Sequence, residues 1–235
     1  MNSEIYARTE ALLGPDAMDT LHSARMAVFG VGGVGSACAE ALARCGVGRI
    51  DLFDPDTVSF SNINRQLIAL HSTVGRYKAD VMKERIREID PEIDCRAYKV
   101  FYEEANCNEY PFGGYDYIAD CIDTVSSKLL IIKQARLNGV KVISALGTGN
   151  KLHPELLRCA DIKKTNVCPL ARVMRRLCRE NGITELKVIY SEEEPRKVCV
   201  GEENGRHPPA SISFVPPAAG MLMAGEIIRE ILNIQ

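Results

Sequence analysis

Two short stretches carry residues that could work on a nucleotide. "GVGGVG" spans Gly30 to Gly35, between the apolar run "RMAVFG" (25–30) and the Ala-rich "GSACAEALARCG" (35–46). Gly30, Gly32 and Gly35 satisfy G-x-G-x-x-G, and Gly33 adds a fourth glycine. Without Cβ atoms such a turn is tight, and its N–H groups can approach a phosphate at a helix N-terminus. Asp54 follows Gly35 by 19 residues, at the end of "RIDLFD" (49–54). A carboxylate at that place reaches ribose hydroxyls. A glycine turn that merely packs helix on strand is the plainer reading, and the shared register of strand, helix and acid argues against it.

The second stretch, "DPDTVSFSNINRQ" (54–66), separates the nucleotides. Backbone N–H groups largely satisfy a dinucleotide, whereas a triphosphate carries about four charges and needs cations placed for it. Arg65 supplies a planar fork of donors, Asn62 and Gln66 offer uncharged donors, and Lys78 adds a point charge. Arg65 or Lys78 alone would read as a solvated surface cation; the spacing after Asp54 weakens that reading for the set. Asp123 ends the strand-like "YDYIADCID" (115–123), at the carboxyl edge of the expected sheet. It could share Mg²⁺ with phosphates or cap the helix that follows.

The elements that must position these residues alternate. Strands are expected at 25–30, 49–54, 115–123 and 140–146, with helices at 35–46, 76–89 and 125–137. That order predicts an α/β, Rossmann-like, doubly wound and mostly parallel sheet with helices on both faces. The last third reads as strands "LKVIY" and "SISFV" forming a C-terminal hairpin, then a helix from about Ala218 to Leu232. Residues 1–24 read as an N-terminal arm. The segment 192–209, dense in charge, Gly and Pro, reads as a mobile loop within one domain spanning 1–235.

Composition narrows the classes. A net charge of -2 means that any nucleic acid must be held by a local basic patch. Nine Cys, with no CxxC pair and no secretion signal, point to reduced thiols in the cytoplasm and to no zinc site. No stretch suits a bilayer, so no membrane partner is expected.

Together these residues resemble the ubiquitin-activating-enzyme-like adenylyltransferases. That family carries G-x-G-G-x-G, then D-x-D-x-V-x-x-S-N-x-x-R-Q, then G-x-x-K, then an Asp. Here those are Gly30 to Gly35, "DPDTVSFSNINRQ", "GRYK" (75–78) and "CIDT" (121–124). The resemblance implies ATP and Mg²⁺, with a substrate carboxylate attacking the α-phosphate to give an acyl-adenylate. It implies that Asp54 binds ribose and that Asp123 holds the metal beside Thr124. Arg65 and Lys78 would stabilise phosphate charge, with Ser61, Asn62 and Gln66 around them. Arg8, in "ARTEALLG", matches an Arg that reaches the partner's triphosphate in a homodimer.

Within the family the chain resembles the branch that dehydrates threonylcarbamoyladenosine in tRNA. The segments "EALARCGVGRIDLFDPDTV", "LHPELLRCADIKKTNVCPLARVMRRL" and "SISFVPPAAG" carry that likeness. It implies a tRNA substrate, with a sulfur-transfer protein as a further partner. One observation is independent of the resemblance. Arg172, Arg175, Arg176 and Arg179 fall on one side of an expected helix, opposite Leu170, Val173, Met174 and Leu177, with Lys163 and Lys164 just before. That face could grip tRNA phosphates or simply be solvated. Two other readings stand beside dehydration: activation of a carrier protein's C-terminal carboxylate, with Cys168 or Cys199 as thioester nucleophile, and an NAD(P)-dependent oxidoreductase. Arg65, Lys78 and Asp123 disfavour the oxidoreductase.

Overall fold

The computed structural model describes residues 3–198, 201 and 209–234. Its centre is one seven-stranded sheet. The strands are β1 (Arg25–Phe29), β2 (Arg49–Phe53), β3 (Asp94–Tyr98), β4 (Tyr117–Asp120), β5 (Lys141–Ala145), β6 (Leu157–Asp161) and β7 (Lys187–Ser191). They lie in the order β3-β2-β1-β4-β5-β7-β6, and every neighbouring pair is parallel except β6 with β7. The order reverses between β1 and β4, which opens a crevice at their carboxyl ends.

Alternation along the strands divides the core. Met26 and Val28, with Ile50 and Leu52, pack on one face under helices α3 (Gly33–Arg44), α4 (Lys78–Ile89) and α7 (Val215–Ile231). Ala27, Phe29, Phe53 and Ile118 face the other way, toward α5 (Val125–Leu137). Helix α6 (Pro169–Glu180) closes a smaller cluster with Ile132, Val188 and Tyr190. The connection from β3 to β4 contains no α-helix. An aromatic stack does the covering instead, with Phe29 and Phe53 rings 4.3 Å apart, Phe53 and Tyr98 4.6 Å, and Tyr102 and Phe112 5.5 Å.

The helix expected at 125–137 is found with those limits. Several other expectations need correction. Within the N-terminal arm expected at 1–24, the described residues form α1 (Ser3–Leu13) and α2 (Pro15–Ser23), and the Tyr6 hydroxyl donates to Asp90 at 2.8 Å. "SISFV" is not a strand, because Pro216 and Pro217 sit in the first turn of α7 and start that helix at Val215. The antiparallel partner of β7 is therefore β6, reached across α6 and not through a hairpin. In the segment 192–209, the near end is pinned: Glu193 is buried and Arg196 donates its N–H to Asn150 O at 2.9 Å. Residues 199–200 and 202–208 lie outside the described residues, and so does Cys199.

Candidate active site

The glycine turn is shaped by close approach. Gly30 has φ 84°, and a Cβ there would lie 3.0 Å from the Cys121 carbonyl. At Gly35 a Cβ would fall 1.8 Å from Gly30 O, so no side chain fits. Helix α3 begins at Gly33 with Gly32 as its cap and no side-chain acceptor, leaving its first N–H groups open to an anion.

Asp54 fastens this turn to the next loop. One carboxylate oxygen accepts the Val31 N–H at 2.6 Å and the other the Asp56 N–H at 2.9 Å. Burial pushes its carboxyl above the usual range, opposed by the charge of Lys78 and by those two N–H groups. Each oxygen keeps a further acceptor site for a hydroxyl. Lys78 is buried in the first turn of α4, and its ammonium reaches Asp56 at 2.7 Å.

The turn after Asp54 brings the remaining donors round. Asn62 is buried and accepts the Ser59 N–H at 3.1 Å, while Ser59 and Ser61 hydroxyls meet at 2.9 Å. Arg65 curls back to donate to Ser61 O at 2.8 Å and Asn64 Oδ1 at 2.9 Å. Gln66 is buried with its Oε1 unpartnered among the described residues. Such an orphan marks a place where a ligand completes the hydrogen bonding.

Gly30, Gly32, Gly33, Asp54, Asn62, Arg65, Gln66, Lys78, Asp123 and Thr124 all line one cleft of about 500 Å³. Ser61 is not in its wall but receives the Arg65 guanidinium. Asp123 is exposed at the lip. It does not cap α5; Thr124 holds that position. The carboxylate accepts the Thr124 hydroxyl at 3.5 Å and keeps acceptor sites for a cation that shares its ligands with phosphate, as Mg²⁺ does. Among the described residues no cluster of three or more His, Cys, Asp or Glu offers an all-protein metal cage.

Beneath the lip lies a network with no motif to announce it. Lys128 of α5, fully buried, donates to Asp120 Oδ2 at 3.0 Å, Ser144 Oγ at 3.1 Å and Ala145 O at 2.7 Å. Ser144 also donates to Asp120 at 2.5 Å. The network ties α5 to the carboxyl ends of β4 and β5, so it fixes the floor from which Asp123 rises. A sequence signal was available only as three polar residues inside otherwise apolar periods.

Two expected groups stand apart. Arg8 is exposed on α1, whose Tyr6 docks at Ala43 near the far end of α3. That contact at Ala43 is roughly 15 Å along α3 from the glycine turn, and Arg8 lines no part of its own chain's cleft. On α6 the arginines are not equivalent. Arg172, Arg176 and Arg179 are exposed, but Arg175 is half-buried and donates to Thr165 Oγ1 at 2.9 Å. Arg176 also faces Glu180 at 3.8 Å. The buried stripe is Ala171, Met174 and Cys178, while Val173 is exposed among the arginines. Lys163 joins Arg172, Arg175, Arg176 and Arg179 around a groove of about 620 Å³; Lys164 is exposed beside it. No helix of the described residues is long and apolar enough to cross a membrane.

Known proteins are similar to this chain over most of its length. A tRNA threonylcarbamoyladenosine dehydratase of Bacillus subtilis (strain 168) is 41% identical over 240 residues, covering 97% of this chain and 94% of the relative. One of Escherichia coli (strain K12) is 39% identical over 181 residues, covering 77% and 68%. The solved structure of the E. coli tRNA N6-threonylcarbamoyladenosine dehydratase, TcdA, in complex with ATP superimposes with a TM-score of 0.90 at 31% identity, covering 98% of this chain and 95% of that one. Residues 6–235 match the ThiF family, and the chain belongs to it.

Proposed function

We propose that this protein is an ATP-dependent dehydratase that cyclises threonylcarbamoyladenosine in tRNA through an acyl-adenylate. The observation that carries the reading is the single cleft that holds an open helix N-terminus, Asp54, Arg65, Lys78 and, at its lip, Asp123. The extent of similarity to the named dehydratases supports the choice of substrate.

The chemistry proceeds in two steps. A carboxylate oxygen of the threonylcarbamoyl group attacks the α-phosphorus, the bond to the β-phosphate oxygen breaks, and pyrophosphate leaves. A nitrogen of the same group then attacks the activated carbonyl carbon, loses its proton and expels AMP. The modified nucleoside has lost one water. Asp54 accepts from the ribose hydroxyls while holding the glycine turn by Val31. Arg65 and Lys78, held in place by Ser61 O and Asp56, meet the phosphate oxygens when ATP binds and are already there as negative charge builds on the leaving group. Asn62 and Gln66 supply neutral donors, and Thr124 lies beside Asp123 at the lip. Asp123 would hold Mg²⁺, which neutralises polyphosphate charge when bound. Arg8, remote from its own cleft, serves the neighbouring site in a homodimer. The basic groove of α6 grips the tRNA backbone, and a tRNA substrate locates the enzyme in the cytoplasm.

Incubation with ATP, Mg²⁺ and tRNA carrying threonylcarbamoyladenosine tests this. Mass spectrometry of the digested nucleosides should show loss of one water and formation of AMP. An ATP-binding preparation that leaves the nucleoside unchanged, or that exchanges pyrophosphate only with a carrier protein, overturns it.

A further inference from the structure

A second chamber, of about 470 Å³, opens beside the nucleotide cleft and shares a wall with it at Val34, Cys121, Asp123, Thr148 and Gly149. Its far side contains Lys151, which is only 3% exposed and whose Nζ has no hydrogen-bond partner among the described residues. An ammonium withdrawn from water without a partner is costly, so such a group is kept where an anion arrives. Burial draws its pKa below the ordinary lysine value, while Cys168, Glu193 and Glu194 act in the opposite direction.

The backbone around Lys151 is fixed for this placement. Asn150 adopts φ 60°, its N–H donates to Ala210 O at 2.7 Å, and its side-chain oxygen accepts the Ala210 N–H at 2.7 Å. The next two N–H groups, of Leu152 and His153, go to the Glu193 carboxylate at 3.0 and 2.9 Å. Glu193 is thereby engaged by the backbone and forms no ion pair with Lys151 within the described structure. The rest of the chamber is lined mainly by apolar side chains, including Leu146, Pro169 and Leu170, with Cys168 alongside. An apolar-walled pocket with one cation suits a small organic group that ends in an anion.

Resting on the dehydratase reading, we propose that this chamber is the acceptor pocket and that Lys151 holds the substrate carboxylate that is to be adenylated. A carboxylate brought up to a polyphosphate meets like charge. Lys151 offsets that repulsion, and the chamber adjoins the nucleotide cleft at Thr148 and Gly149, so a group held in one is next to the other. Lys151 is a cation for the acceptor, separate from Arg65 and Lys78, which line only the nucleotide cleft.

The experiment compares wild type with Lys151→Gln and Lys151→Arg. ATP affinity by calorimetry should be unchanged in both. KM for the modified tRNA should rise roughly 10- to 100-fold in Lys151→Gln, as for loss of a charged hydrogen bond, with a smaller fall in kcat and substantial rescue by Lys151→Arg. Wild type should bind tRNA with the free carboxylate more tightly than its methyl ester, whereas Lys151→Gln should not discriminate. Wild-type KM in Lys151→Gln, or equal discrimination in both proteins, overturns the assignment, and so does a loss of ATP affinity that equals the loss of tRNA affinity. If Lys151→Gln does not fold, NMR of lysine-labelled wild type decides. The acid nucleoside should shift the Lys151 signal and the ester should not; equal shifts or none overturn the proposal. Absence of dehydration by wild type would sink the enzyme reading alone, because acid-against-ester binding still tests Lys151.

Discussion

The nucleotide cleft and the α6 face both gather cations, yet they are built on different principles. In the cleft, Lys78 is buried against Asp56 and Arg65 is folded on its own turn, so each cation is held before any ligand arrives. On α6, Arg172, Arg176 and Arg179 extend into solvent around exposed Val173. Preorganised charge at a reacting centre does not have to reorient as charge develops. Loose charge on a surface suits a polyanion whose phosphates vary in position. The difference is one of enclosure: the cleft holds its cations in place, and the α6 face leaves most of its own in solvent.

The comparison can be broken first at the base of the cleft. Lys128→Met leaves Asp120 buried and uncompensated, and should cost about 3–5 kcal/mol in urea unfolding. Adding Asp120→Asn should recover a large part; a single variant as stable as wild type would mean that the network is not what holds this floor. Next, Lys78→Met, Arg65→Met and Asp123→Asn should each lower kcat about 10²–10³-fold, with stability unchanged in the last two and reduced in Lys78→Met, which unpairs Asp56 and leaves buried Asp54 without its opposing charge. A rise in KM for tRNA with kcat retained would put them with the α6 set instead.

On the other side, the triple change Arg172→Glu, Arg176→Glu and Arg179→Glu should weaken tRNA binding about 10- to 100-fold. ATP affinity should not move. The slope of log affinity against log salt should flatten by about 2, given three lost phosphate contacts on single-stranded RNA. An unchanged slope would make this a merely solvated face. Arg175→Ala should behave differently from its neighbours, costing about 1 kcal/mol of stability through its lost bonds to Thr165 while tRNA affinity changes little.

The smallest effect concerns the turn after Lys151. Desolvation would raise the Glu193 carboxyl, but the His153 and Leu152 N–H groups, with the charges of His153 and Lys151, hold it below the usual range. A depressed carboxyl stabilises fully above its unfolded pKa of about 4.3, and that contribution is lost as pH falls through the lower folded value. The stability difference between wild type and Glu193→Gln should therefore be constant from about pH 5 upward and narrow in more acid solution. Persistence of the full difference in strong acid would contradict the ionic role.

Particular elements show how far reading the chain can go. The helix at 125–137 was legible to the residue because Pro-free apolar periods end at Asn138-Gly139, and Gly139 takes φ 66° there. The glycine turn, Asp54 and Lys78 were legible because each belongs to a short stretch whose spacing is itself the constraint. "SISFV" misled because an alternating apolar pattern looks like a strand until Pro216 and Pro217 are weighed as helix starters. Val173 was placed with the buried stripe by periodicity alone; the packing of Ala171, Met174 and Cys178 rotates that stripe and leaves Val173 outside.

The sequence by itself determined a mostly parallel nucleotide-binding sheet and many of the residues that meet in its cleft, since the glycine turn, Asp54 and the run to Lys78 keep a fixed spacing along the chain; β3 carried no such signal. Only the tertiary structure decided which charges are enclosed. Lys128, Lys151 and Lys78 are buried, Arg175 is half-withdrawn, and Arg172 and Arg179 are solvated. Nothing in a lysine's or arginine's immediate neighbours fixes that outcome. Burial is set by segments far apart in the chain, such as Ala210 closing on Asn150 and Glu193 on Leu152, and it leaves Lys151 without the partners that Lys128 and Lys78 have.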